Sequence, residues 1–403
     1  MEYIYKIIKA VSKLNYMQDI SVEKFPKKRA AIVTWCDNNG KTNYGQVLQC
    51  YAMQQLVNKW GYDSFVVQYR TKNDRDFIKY NFSNRNPIGR WLNELYQEQY
   101  KLKVIESYKS QRVSAFRKFV RNYIRLTSPC YTREAVEYET KDCQLLVCGS
   151  DQIWNPLNFH PIWMLNFGAE WQKRVAYAPS GIFCEDEENV ACYKRMALLL
   201  ENLDVITLRE QLGVDILSKY TNRKMRAVLD PTLLMNCRDW DKIAVPRLIH
   251  EKYIFCYVMG SIRPHQLLLR NLKEKHYAKK IVYIPSNLVQ EGQFSDFIRY
   301  DSAGPAEFIS LIKYAEAVCT DSFHGTTLSI VYEKQFYNLK RVQEGIEKFG
   351  GSERIDDLLI RLNISSRALS SLKEARDIHK IEYDKVNQKL ERLKKESIIW
   401  KAH

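Results

Sequence analysis

Short apolar strands alternate with amphipathic helices along most of this 403-residue chain, and that order restricts its possible folds more than any other feature. From Arg29, RAAIVTWCD is typical of a β-branched strand. NYGQVLQCYAMQQLVNKWG then carries apolar residues at helical spacing and ends on Gly61, a common helix stop. The next stretch, DSFVVQY, predicts another strand. Alternation of this kind predicts βαβ units and a parallel sheet.

The alternation occurs in two series. The first covers residues 29–240 and contains a basic, helical segment at 70–126, whereas the second covers 250–365. Chain length also fits two or three domains of about 150 residues each. Two series predict two Rossmann-like α/β domains facing a cleft, the glycosyltransferase-B-like arrangement, with ligands at the carboxyl ends of the strands.

Both ends of the chain predict helices outside these domains. Residues 1–28 predict an N-terminal helical extension, and 366–403 predict a charged C-terminal helix with Leu, Ile and Val near heptad spacing. Three arrangements remain open for the C-terminal helix: packing back on the first domain, which we expect, pairing with another subunit, or lying on a membrane.

The charge of the chain indicates which kinds of partner it could bind, and its cysteine content indicates the cellular compartment. The net charge is +15, and 70–126 holds 14 Lys and Arg against 5 Asp and Glu. This excess suits an anionic membrane surface or a phosphorylated substrate, or is a solvated basic face. No nucleic-acid-binding motif accompanies it, so no nucleic acid is expected. Ten scattered cysteines without a CxxC pair favour reduced thiols and a cytoplasmic protein, peripheral at the inner membrane face if the basic segment binds lipid.

Four polar turns follow predicted strands, where backbone N–H groups and helix dipoles suit an anion. The first is the loop 37–40, after which Asn43 and Gly45 open a helix, and it is a candidate anion or substrate cradle. The second, VCGSDQIWNP, places Trp154 beside polar side chains, which resembles a sugar-binding platform. Helix capping is the structural alternative for both turns.

The third and fourth turns add ionisable groups. Arg209 ends the strand ITLRE, where its side chain suits a carboxylate or phosphate; an ion pair with Asp230 or Glu210 is the alternative. His324 stands in TDSFHGTT at a strand-to-helix corner. It suits acid/base chemistry or phosphate binding, and a capping or packing role is the alternative.

These turns, taken together over residues 29–365, resemble the polysaccharide pyruvyl transferase family. The matching pieces are NYGQVLQCYAMQQLVNKWGY, VCGSDQIWNP, RVAYAPSGI, ITLREQLGVDIL, VLDPTLLM, TDSFHGTTLSIVYEKQF and GGSERIDDLLIRLN. The resemblance implies transfer of an enolpyruvyl group from phosphoenolpyruvate to a sugar. The acceptor would belong to an exopolysaccharide, a capsule or a polyprenyl-diphosphate-linked precursor, and the product would be a pyruvate ketal. It implies no metal and no cofactor beyond the donor.

The resemblance also implies roles for single residues. The catalytic residues would be His324, Asp151 and Arg209. The donor would be bound by Arg209, Ser322, His324, Gly325 and Thr326. The acceptor would be bound by Asn43, Tyr44, Ser150, Gln152, Trp154 and Asn155. Some family branches carry arginine where this chain has Ser322, so the donor's charge is expected to be met by Arg209, Lys348 or Arg354.

Two other functions stay open at this point. A nucleotide-sugar-dependent glycosyltransferase would use the same fold, and a non-catalytic membrane-surface scaffold of a polysaccharide assembly complex would use the basic segment and the C-terminal helix. P-loop, GxGxxG, HExxH and GxSxG motifs are missing from the sequence, which argues against the commonest ATPases, dehydrogenases, metalloproteases and hydrolases.

Overall fold

A computed structural model describes residues 28–36, 42–70, 111–285, 294–341, 353–369 and 372–399. Within these residues, the strands form two six-stranded sheets in which every pairing is parallel. The strands are β1 Arg29–Val33, β2 Asp63–Val66, β3 Leu145–Cys148, β4 Lys173–Ala176, β5 Val205–Leu208, β6 Arg226–Ala227, β7 Tyr253–Tyr257, β8 Lys280–Tyr283, β9 Phe297–Arg299, β10 Ala317–Thr320, β11 Gln335–Leu339 and β12 Ala368–Leu369. The predicted pair of Rossmann-like domains is confirmed.

The first sheet has the order β2-β1-β3-β4-β5-β6. Its central strand β3, LLVC, is buried along its whole length, as an apolar strand covered on both faces should be. The helices of this domain are α1 Tyr44–Lys59, α2 Gln111–Tyr123, α3 Arg133–Thr140, α4 Glu187–Leu200, α5 Gln211–Leu217, α6 Pro231–Leu234 and α7 Cys237–Asp241. Short 3-10 turns lie at Pro156–Asn158 and Pro161–Met164.

The second sheet has the order β12-β11-β10-β7-β8-β9. Its helices, with those that follow it, are α8 Gln266–Lys275, α9 Pro305–Lys313, α10 Phe323–Val331, α11 Glu353–Leu362, α12 Leu372–Asp377 and α13 Tyr383–Glu396, with 3-10 turns at Arg263–His265 and Ser365–Arg367. The sequence patterns did not indicate β9 or β12, which are three and two residues long. Strands this short carry too few residues to show a period.

The strand order of each sheet reverses once along the chain. In the first sheet this happens between β1 and β3, and in the second between β7 and β10. Open parallel sheets bind ligands at such reversals, outside the carboxyl ends of the strands. The segments that leave β3 and β10 at these points are 149–151 and 321–324, which are the second and fourth polar turns.

Helix α1 joins the two domains through an aromatic side chain at its first residue. The ring of Tyr44 stacks on Phe308 of the second domain with centroids 4.5 Å apart. Its hydroxyl donates a hydrogen bond of 2.6 Å to the carbonyl of Ala303. Burial raises the pKa of Tyr44, so the phenol stays neutral. The amino end of α1 is therefore fixed against the second domain.

The C-terminal segment differs from the single helix predicted over 366–403. Ala368–Leu369 pairs with β11 as β12, so the second sheet extends beyond residue 365. The described residues after it, 372–399, contain two helices separated at 378–382. After α13, Ser397 Oγ accepts a 2.8 Å hydrogen bond from the Leu229 N–H of the first domain. The last helix begins against the second domain, where the Tyr383 hydroxyl donates to the Lys334 carbonyl, and the residues that follow it contact the first domain.

Two predicted segments lie largely outside the described residues. They are the N-terminal extension 1–28 and the basic segment 70–126, of which 71–110 are not described. Across the described ranges, no helix combines the length and the apolar character needed to cross a membrane.

Candidate active site

A cavity of about 560 Å³ lies between the two domains, at the strand ends where both sheets reverse their order. The first domain contributes Asn43, Gly45, Asp151, Gln152, Asp186 and Asn189 to its wall. The second domain and α11 contribute Ser322, Phe323, His324, Arg341 and Arg354. The sequence-predicted turns around Asn43, Asp151 and His324 therefore meet in one cavity.

Helix α10 presents its amino end to this cavity. Ser322 is the N-cap, and its hydroxyl accepts a 3.4 Å hydrogen bond from the Gly325 N–H. The first-turn N–H groups of a helix have no partner within the helix and carry partial positive charge. A Cβ added at Gly325 would lie 2.6 Å from Thr320 Oγ1, so this glycine allows α10 to pack closely on β10. The turn between β10 and α10 therefore places the amino end of α10 at the cavity.

Two of the residues expected to bind the donor do not line the cavity. The Thr326 hydroxyl is fully buried, donates to the Ser322 carbonyl at 3.0 Å and accepts from Asn338 Nδ2 at 2.7 Å. Gly325 faces Thr320 rather than the cavity. In this arrangement the fourth turn offers the cavity Ser322, Phe323 and His324.

His324 contacts the first domain on two sides. Its Nε2 lies 3.8 Å from Asp230 Oδ2 and has no hydrogen-bond partner among the described residues. Its Nδ1 lies beside Gly45, where an added Cβ would approach to 2.3 Å. The histidine is only 6% exposed. Its ring is thus wedged between α1 and Asp230 at the edge of the cavity.

Asp230 is the centre of a buried polar cluster behind His324. Its Oδ2 accepts a 2.6 Å hydrogen bond from Ser150 Oγ and lies 3.2 Å from Arg209 Nε. Its Oδ1 accepts from the N–H and hydroxyl of Thr232 at 2.9 and 2.6 Å. Burial opposes ionisation, but the Arg209 charge together with His324 and Ser150 holds the pKa of Asp230 below its usual range. Asp230 is therefore a carboxylate.

Arg209 belongs to this cluster and not to the cavity wall. It is 3% exposed, donates through Nη2 to Ser150 Oγ at 3.3 Å and lies 4.7 Å above the Phe323 ring. The ion pair with Asp230, given above as its structural alternative, is present. Direct contact of Arg209 with a ligand in the cavity is thus not supported by its position.

Glu210, next in sequence, is a second buried carboxyl group. Ser180 Oγ donates to Glu210 Oε1 at 2.6 Å, and Oε2 has no hydrogen-bond partner in the described part of the chain. Burial raises the pKa of Glu210 to about 7, against the opposing charges of Arg209 and Arg354. This carboxyl group changes charge close to neutral pH.

Two arginines supply the positive charge of the cavity. Arg341 is held by Asp321, with Nε 3.0 Å from Oδ2 and Nη2 donating to the Asp321 carbonyl at 2.9 Å. Arg354 is half-buried, and its buried Nε has no hydrogen-bond partner within the described residues. Burial and the nearby Arg209 charge lower the pKa of Arg354 to about 10, so it remains a cation at neutral pH.

Of these two arginines, Arg354 is among the basic residues expected from the sequence, whereas Arg341 is not. Arg341 stands two residues after β11, so the rule that ligands bind at strand ends would have indicated it. The same rule applies to Asp230, which follows β6. Lys348, the other basic residue named from the sequence, lies outside the described residues.

The first domain gives the cavity an acidic and amide-bearing side. Asp151 has a left-handed backbone (φ 62°) and directly follows the cis Gly149–Ser150 peptide. Gln152 Nε2 has no hydrogen-bond partner among the residues described. Asn43 caps α1 by accepting from the Gln46 N–H at 3.2 Å.

The described chain contains no group of three or more metal-ligating side chains.

Four of the predicted acceptor-binding residues are buried away from the cavity. Trp154 is fully buried and donates from Nε1 to the Trp163 carbonyl at 2.9 Å, which excludes it as a sugar platform. Asn155 caps a 3-10 turn through the Leu157 N–H. Tyr44 and Ser150 are occupied in the domain contact and the Asp230 cluster described above. Asn43 and Gln152 remain as cavity residues.

Two Rossmann-like domains with a charged cavity at their facing strand ends define a glycosyltransferase-B-like α/β protein. Comparison with protein families identifies it further: the family described as "Polysaccharide pyruvyl transferase" matches residues 43–341. This match covers most of the chain and includes both faces of the cavity. The chain belongs to the polysaccharide pyruvyl transferase family.

The solved structures that match this chain share little sequence with it. The UDP-N-acetylglucosamine 2-epimerase of Rickettsia bellii is 12% identical, covering 91% of this chain and 96% of its own, with a TM-score of 0.44. The epimerase of Methanocaldococcus jannaschii is 11% identical over 93% and 95%, at 0.42. The glycosyltransferase SnogD of Streptomyces nogalater is 10% identical over 93% and 97%, at 0.38. The search of curated proteins gave no match.

Proposed function

We propose that this protein transfers an enolpyruvyl group from phosphoenolpyruvate to a sugar of a surface polysaccharide or of its polyprenyl-diphosphate-linked precursor. Membership of the family supports the transferase class. The observation that carries the proposal is the cavity itself, which combines His324, two arginines and the amino end of α10. A small substrate with two anionic groups and a site of proton transfer suits that combination.

The second-domain side of the cavity is the proposed donor site. Arg354 brings a cation whose buried Nε has no partner among the described residues, and Arg341 brings a guanidinium already oriented by Asp321. The amino end of α10, capped by Ser322, adds backbone N–H groups. Phosphate and carboxylate are the groups that arginine and helix amino ends bind most strongly. These features replace the arginine that some family branches carry at the position of Ser322.

The reaction needs one proton delivered to carbon and two removed from oxygen. The methylene carbon of the donor gains a proton, and C2 forms bonds to two sugar hydroxyls while its bond to the phosphate oxygen breaks. Of the two hydroxyl protons, one balances the proton added to carbon and the other leaves with inorganic phosphate. His324 is the proposed acid for the carbon, and Asp151 the proposed base for a hydroxyl.

The first-domain side is the proposed acceptor site. Asp151, Gln152 and Asn43 line it, and carboxylate and amide groups match the hydroxyls of a sugar. A lipid-linked acceptor would be met at the inner face of the membrane. The proposed attachment to that surface relies on the net charge of +15.

Incubation of the purified protein with phosphoenolpyruvate and a panel of oligosaccharide acceptors tests the proposal. We expect release of inorganic phosphate together with a pyruvate-ketal mass increase on one acceptor. Arg354→Ala should abolish both at subsaturating donor, whereas Arg361→Ala, on the same helix and paired with Asp357, should not. Product formation from a nucleotide sugar instead of phosphoenolpyruvate would refute the donor assignment. Sedimentation with anionic vesicles at low and high salt tests the membrane contact, and absence of binding would refute it.

A further inference from the structure

The imidazole of His324 and the carboxylate of Asp230 come from different domains and face each other. His324 is the second residue of α10 in the second domain, whereas Asp230 caps α6 in the first. Their nearest atoms, Nε2 and Oδ2, are 3.8 Å apart, and both side chains are buried. The buried Nε2 has no hydrogen-bond partner within the described chain. A buried imidazole nitrogen without a hydrogen-bond partner is costly, so this pairing needs a reason.

We propose that Asp230 is a positioning residue for the transferase: it holds the N–H tautomer of His324 on Nε2 and leaves Nδ1 for the substrate. This inference rests on the proposed role of His324 in proton transfer. Nδ1 lies on the side of the ring next to Gly45, and Gly45 and His324 both line the cavity. A carboxylate that accepts from one imidazole nitrogen fixes which nitrogen is free to exchange a proton.

The surroundings of Asp230 keep it an acceptor. Thr232 occupies Oδ1 with two donors, and Ser150 and Arg209 approach Oδ2. These groups, together with His324, are the charged and hydrogen-bonding groups that contact the carboxylate in the described residues. Because every neighbour donates or is positive, Asp230 stays ionised and attracts the imidazole N–H.

A second contact holds the same two helices together across the domain boundary. The hydroxyl oxygens of Thr232, beside Asp230 on α6, and of Thr327, on α10, lie 3.2 Å apart. The separation of Nε2 and Oδ2 is longer than a hydrogen bond, whose donor and acceptor lie about 3 Å apart. Catalytic hydrogen bonds are often long before substrate binds and shorten afterwards. A small approach of α10 to α6 would therefore complete the pair.

Nitrogen-detected NMR of the full-length protein labelled with 15N-histidine tests this proposal without a substrate. The chain has seven histidines, and the His324→Gln variant identifies the signals of His324. In the wild type we expect the Nε2–H tautomer to dominate at a pH where the ring is neutral. In Asp230→Asn, the side-chain amide can donate to Nε2, so the dominant tautomer should become Nδ1–H. A wild-type ring protonated mainly on Nδ1 would overturn the proposal, even if the variant failed to fold.

Kinetics then separate positioning from a general structural role. Asp230→Asn should lower kcat by about 100-fold or more with a much smaller change in the donor KM. Ser150→Ala, which removes another Asp230 partner but leaves the facing oxygen, should keep the wild-type tautomer. An unchanged tautomer in Asp230→Asn alongside measurable pyruvyl transfer refutes the positioning role. If the tautomer switches in Asp230→Asn but the wild-type protein itself shows no pyruvyl transfer, the Asp230–His324 pairing is supported and the proposed function is refuted.

Discussion

Gly45 is the position where one methyl group should displace the proposed catalytic histidine. It is the second residue of α1 and lies across the domain boundary from His324. A Cβ at this position would lie 2.3 Å from His324 Nδ1 and 3.1 Å from Cε1 and Cγ, whereas ordinary contacts begin at 3.4 Å. The ring must therefore move by about 1.1 Å, the difference between 3.4 and 2.3 Å, to accommodate alanine.

The stability effect has two parts of opposite sign. Alanine in place of glycine inside a helix stabilises by about 1 kcal/mol through helix propensity. Displacing a buried ring costs roughly 1–3 kcal/mol, as overpacking of a core does. Gly45→Ala alone should thus be neutral to destabilising. In a His324→Ala background the collision is absent, so the same change should stabilise by about 1 kcal/mol.

The coupling between Gly45 and His324 can be measured with a double-mutant cycle. The free energy of unfolding in urea is determined for the wild type, Gly45→Ala, His324→Ala and the double variant. We expect a coupling of about 1–3 kcal/mol. Pyruvyl transfer by Gly45→Ala should also fall about 100-fold in kcat, since a misplacement of about 1 Å has that effect on catalytic groups. Additive stabilities, or a kcat within a few-fold of wild type, would refute the placement of His324 against Gly45.

Three further changes test the charges and the packing of the site. Arg354→Lys keeps the positive charge but loses the N–H groups of the guanidinium. The KM for phosphoenolpyruvate should therefore rise at least tenfold while the KM for the sugar stays constant. Equal rises in both would contradict a role in binding the donor substrate. Between pH 4.5 and about 7, the Glu210 carboxyl group is protonated in the folded protein but ionised in the unfolded chain. The free energy of unfolding of the wild type should therefore fall as pH rises through that window, by at most about 3 kcal/mol. Glu210→Gln should remove that part of the pH slope in urea titrations, and an unchanged slope would contradict the burial of this carboxyl group. Ser397→Ala leaves the buried Leu229 N–H without its acceptor and should cost about 1–3 kcal/mol of unfolding free energy. A cost near zero would show that the C-terminal contact is not formed in solution.

The sequence was most informative where one residue type answers a local requirement. Apolar strands and helix stops predicted both sheets, and the polar turns at Asp151 and His324 were expected at the strand ends that meet at the cavity. Both depend only on neighbours in the chain, because strand period and capping are local properties. The prediction was wrong for Trp154, because an aromatic residue beside amides looks the same in sequence whether its ring faces a sugar or the interior.

Arg209 shows that the sequence alone does not determine the partner of a charged side chain. Its place at the end of β5 made it equally suited to a substrate anion and to an ion pair. The choice depends on Asp230, which follows the neighbouring strand β6. Arg341 and Arg354 reach the same cavity from segments that follow β11. A chain without coordinates gives no distance between such segments, so the cation set of the cavity is a tertiary property.

The sequence by itself determined two parallel α/β domains, their family and the corner that carries His324. Only the tertiary structure decided what that histidine faces: Gly45 on one side and Asp230 on the other, both from the first domain. The physical reason is range. Strands, helices and caps follow from interactions over a few residues, whereas the surroundings of a buried imidazole depend on how two separately formed domains pack against each other.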